Sequence, residues 1–420
     1  MTEDWVKIEL GKVCDYSKGK KPKVLKKEYS EITPFPYVNI KAFEKGIFEE
    51  YTDGEKCNLC QEGDLLMVWD GARAGLTGKA KKGAIGSTLM KIEPKNGIEK
   101  NYLFYFLLSL YRKLNTNPRG VGIPHVEPRL LWNSMFLMPD IPTQRAIVTK
   151  IENLVSSLDK GIADLKKAQE QLKVYRQAVL KKAFEESPDT ERKKISDIVL
   201  KVQIGPFGSQ LHKEDYITNG IPLINPMHIQ DGKIKPSPSY SISEEKRNSL
   251  PNYILEKDDV IMGRRGEMGR CGLVDEKEVG WFCGTGSLYL RPNKEIVYAP
   301  FLFYYLTSSI VKEFLTGSAA GTTMMNLNKK IVSSIPIFLP KTIKEQLQRV
   351  KDIETRLSVC DKVEQNITEG LEKSEALRQS ILKKAFEGKL LSEVEIEKCK
   401  QEADYEPASV LLEKIKMEEK

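Results

Sequence analysis

Residues 176–185 read RQAVLKKAFE, and residues 378–387 read RQSILKKAFE. Eight of these ten positions are identical, and the two stretches lie 202 residues apart in a chain of 420. A repeat whose period is close to half of the chain indicates two copies of one structural unit. The sequence therefore predicts two similar globular units, each followed by a helix.

The repeat continues upstream of these stretches. Residues 102–109 (YLFYFLLS) match residues 301–308 (FLFYYLTS) at a distance of 199, whereas residues 144–185 match residues 346–387 at a constant distance of 202. A match of this length without a gap favours a helix, because an inserted residue would rotate the apolar side of the helix away from its partner.

The gap-free stretches carry apolar or small residues at alternating steps of four and three, which predicts a coiled coil. The apolar stripe runs through Ile147, Ile151, Leu154, Leu158, Leu165, Leu172 and Val179 in the first copy, and through Ile353, Leu357, Ile367, Leu377 and Ile381 in the second. A helix of about 44 residues is about 65 Å long and cannot bury such a stripe against one compact domain. We predict that the two helices pair antiparallel with each other, because a partner in the same chain has the higher effective concentration; pairing with a second copy of the chain is the alternative.

The remaining segments alternate short strand-like runs with glycine turns, and each copy adds one apolar helix. The predicted fold class is α+β, with two similar mixed α/β domains separated by two long antiparallel coiled-coil helices and related by an internal pseudo-two-fold repeat. The predicted boundaries are 1–141 for the first domain, 142–186 for the first helix, 187–340 for the second domain, 341–388 for the second helix and 389–420 for a helical tail.

Composition narrows the class of protein. No run of about 18 apolar residues is present, so no transmembrane helix is predicted. The N-terminal residues include acids where a signal peptide needs a basic region, which favours a cytoplasmic protein without a membrane partner. Seven scattered cysteines favour reduced thiols. The pair Cys57-x-x-Cys60 has no second pair to complete a zinc site, so we expect no metal.

The net charge of +7, from 66 basic and 59 acidic residues, matters only where it is clustered. Two loops after the central strands, 69–75 and 263–270, interleave glycine with arginine. Glycine lets the backbone approach a phosphate while arginine reaches a base edge; a hairpin turn with solvated arginines is the alternative. The DNA-binding candidates are Lys18, Lys20, Lys21, Lys23, Arg73, Lys213, Arg264, Arg265 and Arg270.

No catalytic constellation stands out, since the chain has three histidines and neither loop is followed by the Gly-Lys-Ser/Thr of a phosphate-binding loop. The first loop offers Asp70 and Arg73 where the second offers Arg264 and Arg265. We therefore expect the two domains to recognise different sequences.

With these residues considered together, the chain resembles the specificity subunit of type I restriction–modification systems over nearly all of its length. The most specific marks are the paired helix ends, RQAVLKKAFEES and RQSILKKAFEGKL. The segments that end at Gln144 and Gln346 look like the family's helix entries. Gly205-Pro-Phe-Gly-Ser209 is similar to the opening of its target-recognition domains, and residues 406–415 look like its C-terminal segment.

The resemblance implies two target-recognition domains that each read one half of a split double-stranded DNA site. It implies that the long helices set the spacing and dock two methylation subunits, which restriction motor-nuclease subunits join. S-adenosylmethionine, ATP and Mg²⁺ are expected on those partner subunits, with no cofactor and no catalytic residue on this chain. The alternatives are a protein scaffold that binds no DNA and a stand-alone DNA-binding regulator, although no helix-turn-helix signature supports the latter.

Overall fold

The computed structural model describes residues 4–120, 122–266, 269–318 and 327–418. It divides into two compact units. The first unit comprises residues 1–165 and 369–420, and the second comprises residues 166–368. Each unit therefore holds one domain and one part of each long helix.

The first domain is mixed α/β. Its elements are β1 (Val6–Glu9), β2 (Cys14–Lys18), β3 (Phe35–Val38), α1 (Ile40–Lys45), β4 (Tyr51–Thr52), β5 (Leu59–Cys60), β6 (Leu65–Val68), β7 (Thr77–Lys79), β8 (Gly83–Ile85), β9 (Leu89–Pro94), α2 (Lys100–Thr116), α3 (Pro128–Trp132) and β10 (Met135–Met138). One four-stranded sheet has the antiparallel order β2-β9-β6-β7, and a second has the order β4-β3-β8-β5 with β3 and β8 parallel. β1 pairs with β10. All four residues of β6 are buried because both faces of this central strand are covered.

Two long helices link and follow the domains. They are α4 (Ile141–Ala183) and α10 (Ile343–Phe386), and the chain ends with α11 (Glu393–Cys399) and α12 (Ala408–Glu418).

The second domain repeats this arrangement. Its elements are β11 (Thr190–Lys194), α5 (Ile195–Ile198), β12 (Val199–Ile204), β13 (Tyr216–Ile217), β14 (Ile221–Ile224), β15 (Ile229–Gln230), β16 (Lys233–Ile234), β17 (Ser241–Ile242), α6 (Glu244–Ser249), β18 (Val260–Gly263), β19 (Cys271–Leu273), β20 (Phe282–Cys283), β21 (Ser287–Pro292), α7 (Ala299–Thr307), α8 (Ser309–Ser318), α9 (Lys329–Ser333) and β22 (Pro336–Pro340). The sheet β12-β21-β18-β19 corresponds to β2-β9-β6-β7, and the parallel pair β14–β20 corresponds to β3–β8. The prediction of two similar α+β domains is confirmed.

The domain helices α2 and α7 explain why their sequences repeat. Tyr102, Leu103, Phe106 and Leu107 are buried in α2, and so are their counterparts 199 residues later, Phe301, Leu302, Tyr305 and Leu306. Two adjacent residues followed by two more one turn later form a single apolar face. That face closes the core of each domain beneath the antiparallel sheet.

A buried glutamine fastens the start of each long helix to its own domain. The amide of Gln144 accepts from Glu99 N–H (2.8 Å) and donates to Gly97 O (3.0 Å) and Pro139 O (2.9 Å). Gln346 makes the same three bonds, accepting from Tyr298 N–H (2.8 Å) and donating to Ile296 O (3.0 Å) and Pro340 O (3.2 Å). Both side chains are buried, and their amide groups are satisfied by these hydrogen bonds. We call each set of three hydrogen bonds a glutamine clamp, because it fixes the direction in which the long helix leaves its domain.

Within each unit the two long helices run antiparallel. In the first unit Arg378 forms an ion pair with Asp159, and Leu165 lies against Gly370. In the second unit Arg176 donates to Asp361 (2.6 Å) and to Glu364 (2.8 Å). Position numbers on α4 rise as those on α10 fall, as an antiparallel pair requires. The prediction that the long helices form an antiparallel coiled coil is confirmed.

The apolar stripe departs from the predicted register at two positions. Ile147, Ile151, Val179, Ile353, Ile367 and Ile381 are buried, whereas Leu158, Leu165, Leu172 and Leu357 are half-buried. Leu154 and Leu377 are 39% and 52% exposed, and Val155 packs into the core in place of Leu154. A straight helix has 3.6 residues per turn, so a strict seven-residue pattern drifts across its face. The ends of α4 and α10 moreover pack on their domains and not only on each other.

The C-terminal tail belongs to the core of the first unit. Leu391, Ile396, Leu411 and Ile415 are buried in the same cluster as Ile151. Lys150 on α4 forms a two-oxygen ion pair with Glu395 on α11, at 2.7 and 2.8 Å. No helix in the described ranges is long and apolar enough to cross a membrane.

Candidate nucleic-acid interface

Three loops of the first domain meet at the turn Gly86–Thr88. They are residues 19–23 after β2, the junction between β3 and the first turn of α1 at residues 39–41, and residues 69–75 after β6. Backbone hydrogen bonds join them to the turn or to the residue after it: Gly19 N–H to Leu89 O (2.9 Å), Gly86 N–H to Val38 O (2.9 Å) and Trp69 N–H to Thr88 O (2.8 Å). We call this arrangement the loop cluster of the first domain.

The second domain builds the same cluster around the turn Gly284–Gly286. Its loops are residues 205–209 after β12, residues 225–228 after β14, and residues 263–266 and 269–270 at and beyond the end of β18. The equivalent bonds are Gly205 N–H to Ser287 O (2.9 Å), Gly284 N–H to Ile224 O (2.9 Å) and Arg264 N–H to Gly286 O (2.9 Å). The correspondence identifies equivalent residues across the repeat, namely Gly19 with Gly205 and Trp69 with Arg264.

Close packing of backbone makes glycine necessary at the first loop of each cluster. A Cβ atom on Gly19 would lie 2.2 Å from Gly86 O, and one on Gly205 would lie 1.9 Å from Gly284 O. Both distances are far below van der Waals contact, and the obstructing atoms are main-chain oxygens that cannot swing away. The two glycines therefore fix the path of the loop that follows each of them.

Lys18, one of the DNA-binding candidates, forms an ion pair with Asp70 of the same domain. Its ammonium lies 2.9 Å from Asp70 Oδ2, and His125 Nδ1 lies 2.6 Å from Asp70 Oδ1. Arg119 and His125 exchange backbone hydrogen bonds of 2.9 and 3.0 Å, which holds the ring against the carboxylate. The carboxylate of Asp70 therefore contacts two basic side chains, Lys18 and His125, that lie far from it in the sequence.

The other lysines of this loop differ from Lys18. Lys20, Lys21 and Lys23 are exposed, and none of them forms an ion pair with another residue in the described part of the chain. Arg73 is exposed but its guanidinium lies 2.8 Å from the half-buried carboxylate of Glu44. The lysines therefore keep their charge available to an anion, whereas the charge of Arg73 is partly balanced.

Two adjacent arginines of the second domain occupy opposite environments. Arg264 is only 7% exposed, and its guanidinium donates to Leu327 O (3.0 Å) and Thr285 O (3.4 Å). Burial and the neighbouring charge of Arg265 lower the pKa of Arg264. Arg264 takes the place of the buried Trp69, since Val126 N–H donates to Trp69 O as Leu327 N–H donates to Arg264 O. Arg265, the equivalent of Asp70, is exposed.

The two remaining candidates lie on the second domain's loops. Arg270 is half-buried, and its guanidinium donates to Pro226 O at 3.2 Å, which ties two loops of the cluster together. Lys213 is exposed in the short turn that follows the 205–209 loop. Glu267 and Met268, at the tip of the predicted loop, lie outside the described residues.

Sequence reasoning missed His125, Arg119 and Glu44 because each reaches the loop cluster from a distant segment. It also missed the equivalence of Gly19 with Gly205. These two glycines lie 186 residues apart, and each directly follows a strand. Asn39 and Asn225 lie the same distance apart, so this shared spacing could have revealed that the two glycines are equivalent.

Potential metal-ligating and nucleophilic side chains occur in both domains. No group of three His, Cys, Asp or Glu side chains in the described ranges could hold a metal ion. All seven cysteines are free thiols, and burial raises the pKa of Cys60 to about 11, which keeps this thiol protonated at neutral pH. Burial also lowers the pKa of His228. The exposed charged groups of the loop clusters are instead suited to bind a polyanion.

A family model described as "Type I restriction modification DNA specificity domain" matches residues 2–167 and matches again at residues 189–373. The chain belongs to this family. The two matches coincide with the two halves of the internal repeat, so each half matches the family's domain separately.

Curated relatives extend over nearly the whole chain. The specificity subunit of the type I restriction enzyme MjaVIII from Methanocaldococcus jannaschii is 27% identical over 394 residues, which cover 88% of this chain and 91% of the relative. The EcoBI specificity subunit of Escherichia coli is 26% identical, covering 99% of this chain and 92% of the relative.

Solved structures share the fold. A chain reported under "Structural basis underlying complex assembly and conformational transition of the type I R-M system" gives a TM-score of 0.71 at 19% identity, covering 92% of this chain and 98% of the other. The HsdS subunit from Thermoanaerobacter tengcongensis gives 0.54 at 20% identity, covering 93% of this chain and 98% of the other.

Proposed function

We propose that this chain is the DNA sequence-recognition subunit of a type I restriction–modification complex, in which each domain reads one half of a bipartite site. The observation that carries this proposal is the loop cluster built twice on equivalent backbone hydrogen bonds. The two copies present different side chains, with Asp70 at the position where the second copy has Arg265. One scaffold with two sets of contacts is suited to read two different half-sites.

The division of labour within each cluster follows from exposure. Lysine is a compact, flexible charge that binds phosphates without sequence preference, whereas an arginine fork can hold guanine at two points. Lys20, Lys21, Lys23 and Lys213 are therefore assigned to the DNA backbone, and Arg265 to a base edge. Arg264 is assigned to holding the loop, because its guanidinium already serves two carbonyl groups.

The long helices are proposed to set the gap between half-sites and to dock two methylation subunits. They contain 43 and 44 residues, and a helix of that size is about 65 Å long. The glutamine clamps attach each long helix to the domain before it, so the orientation of that domain relative to its helix is fixed.

Catalysis is assigned to partner subunits. Methylation subunits would carry S-adenosylmethionine, and motor-nuclease subunits would carry ATP and Mg²⁺, in the cytoplasm. This chain would recognise the DNA sequence and take no part in the chemical steps.

The test is to express the chain with its methylation subunits and to sequence the methylated adenines of the host genome. The expected result is one motif with two different half-sites and a constant gap. Cells that express the methylation subunits alone are the matched control and should lack this motif. A continuous motif, or the same methylation with and without the chain, would refute the proposal.

A further inference from the structure

Two exposed apolar side chains lie on the second domain's loop cluster at positions where the first domain has lysine. Phe207 is 62% exposed and follows Gly205 by two residues, as Lys21 follows Gly19. Met227 is also exposed and follows Asn225 by two residues, as Lys41 follows Asn39. The same two places on one scaffold thus carry lysine in one copy and apolar surface in the other. Of the two lysines, Lys41 forms an ion pair with Glu49, so Lys21 keeps the more available charge.

The exposure of Phe207 does not result from a loosely held loop. Its carbonyl oxygen accepts from Gln210 N–H (2.9 Å) and Leu211 N–H (3.2 Å). Leu211 is buried in the domain core, and Gln210 accepts from the hydroxyl of Tyr253 at 2.7 Å. The turn is therefore anchored at both of these residues while the phenyl ring points into solvent.

The loop that carries Phe207 shares its turn with the loops that carry the arginines of the second domain. Gly205 and Arg264 both bond to the segment Gly284–Ser287, and Arg270 bonds to the residue before Met227. The loops that carry Phe207, Met227 and Arg265 therefore border one turn. Arg265 is the exposed arginine of these loops. A protein partner with an apolar face would also have to cover this charge, whereas DNA offers a phosphate or a base edge for it and apolar sugars and base faces for the ring.

We infer that Phe207, with Met227 beside the same turn, makes an apolar contact to the bases or sugars of the half-site read by the second domain. This inference rests on the proposed function. Lys21 would make the corresponding contact of the first domain to a phosphate. An apolar contact releases no counterions, so it contributes affinity that does not depend on salt, whereas each phosphate contact adds about one unit to the salt slope.

The test measures binding of the methylation complex to its own site and to a scrambled duplex across a salt series. Phe207→Ala should weaken binding to the site by about tenfold at every salt concentration and leave the salt slope unchanged. Phe207→Leu, which keeps an apolar side chain, should recover most of the loss. Lys21→Ala should instead flatten the slope by about one unit.

Leu200→Ala is the matched control. Leu200 is 68% exposed and lies near the opposite end of the strand that leads to Gly205, so its truncation removes a similar apolar surface away from the loop cluster. It should bind as the unmodified complex does.

Two results would overturn the inference about Phe207 while leaving the proposed function intact. One is a Phe207→Ala complex that binds its site as tightly as the unmodified one. The other is a loss that appears only as a changed salt slope. If the unmodified complex did not prefer its site to the scrambled duplex, the proposed function itself would fail, and the inference with it.

Discussion

The two domains share a backbone and differ in what the backbone presents. Both place a glycine against a main-chain oxygen and both fold three loops around a glycine-containing turn. The first domain presents exposed lysines and a carboxylate held between Lys18 and His125. The second presents Arg265 and Phe207, both exposed. The comparison teaches that the shared fold sets the positions of the loops, and that the side chains on those loops set which chemical groups each domain exposes.

The largest effect is expected from exchanging a whole domain. Replacing residues 187–340 by the same region of a relative should replace one half-site completely and leave the other half-site unchanged, because the first domain keeps its own core and its own loop cluster. Methylation sequencing gives both half-sites in one measurement. A change in both half-sites, or in neither, would show that the two domains do not read independently.

Next in size is the loss of a glutamine clamp. Gln144→Ala leaves one N–H and two carbonyl groups without their partner, and Gln346→Ala leaves the equivalent three. Each substitution should lower the free energy of unfolding by about 3 kcal/mol.

Chemical denaturation measures both variants. Gln348→Ala on the surface of α10 is the control and should change stability by less than about 0.5 kcal/mol. A large loss for only one of the two clamps would break the equivalence of the domains at this position.

A smaller effect separates the adjacent arginines of the second domain. Arg264→Ala removes the donors to Leu327 O and Thr285 O and should destabilise the fold by about 1–3 kcal/mol. Arg265→Ala should leave the melting temperature unchanged and weaken DNA binding by about 1–3 kcal/mol if its guanidinium reads a base.

Thermal melting and DNA binding of both variants decide the assignment. Arg264→Met keeps an apolar side chain in the buried site. It should recover part of the stability, because the aliphatic stem of the arginine contributes packing in addition to the hydrogen bonds of its guanidinium. The opposite pattern, with Arg264→Ala fully stable and defective only in DNA binding, would return Arg264 to the DNA interface.

The smallest effect concerns two surface ion pairs, one in each unit. Lys150 and Ser392 lower the pKa of Glu395 to about 2, and Ser187 and Arg349 lower the pKa of Asp189 to about 2. Their ordinary values are 4.5 and 3.8. Since the folded state has the lower pKa, each pair stabilises the fold fully above pH of about 5 and loses this contribution as the pH falls towards 2.

Glu395→Gln and Asp189→Asn should therefore lower the melting temperature at pH 7 and make no difference near pH 2. Both carboxylates are solvent-exposed, so solvent screening keeps the shift small. Melting curves of the two variants and the parent chain between pH 7 and about 2 give the comparison. A difference that grew as the pH fell would contradict the sign.

The internal repeat made the architecture predictable from the sequence, because burial of one apolar face imposes a spacing that both copies keep. The faces of α2 and α7 and the two helix entries at Gln144 and Gln346 follow from this constraint. The register of the apolar stripe at Leu154 and Leu377 did not follow, since α4 and α10 also pack on their domains.

The loop clusters were less predictable for a different reason. Arg264 was predicted to contact DNA, but it occupies the site of a tryptophan in the other copy, where its side chain is buried and donates to Leu327 O. Asp70 and His125 lie 55 positions apart, and only the folded chain brings them together. The assignment of single loop residues to DNA therefore stays a prediction that binding measurements must decide.

The backbone contacts of Gly19 and Gly205 have a consequence for how such a protein diversifies. Any side chain at these two positions would push the loop off its turn, whereas the neighbours at positions 21 and 207 face solvent and meet no such obstacle. Saturation of positions 19, 21, 205 and 207 should thus show that folding tolerates no replacement of the two glycines and tolerates many side chains at positions 21 and 207. New binding preferences can then arise by single substitutions, without any adjustment of the main chain that carries them.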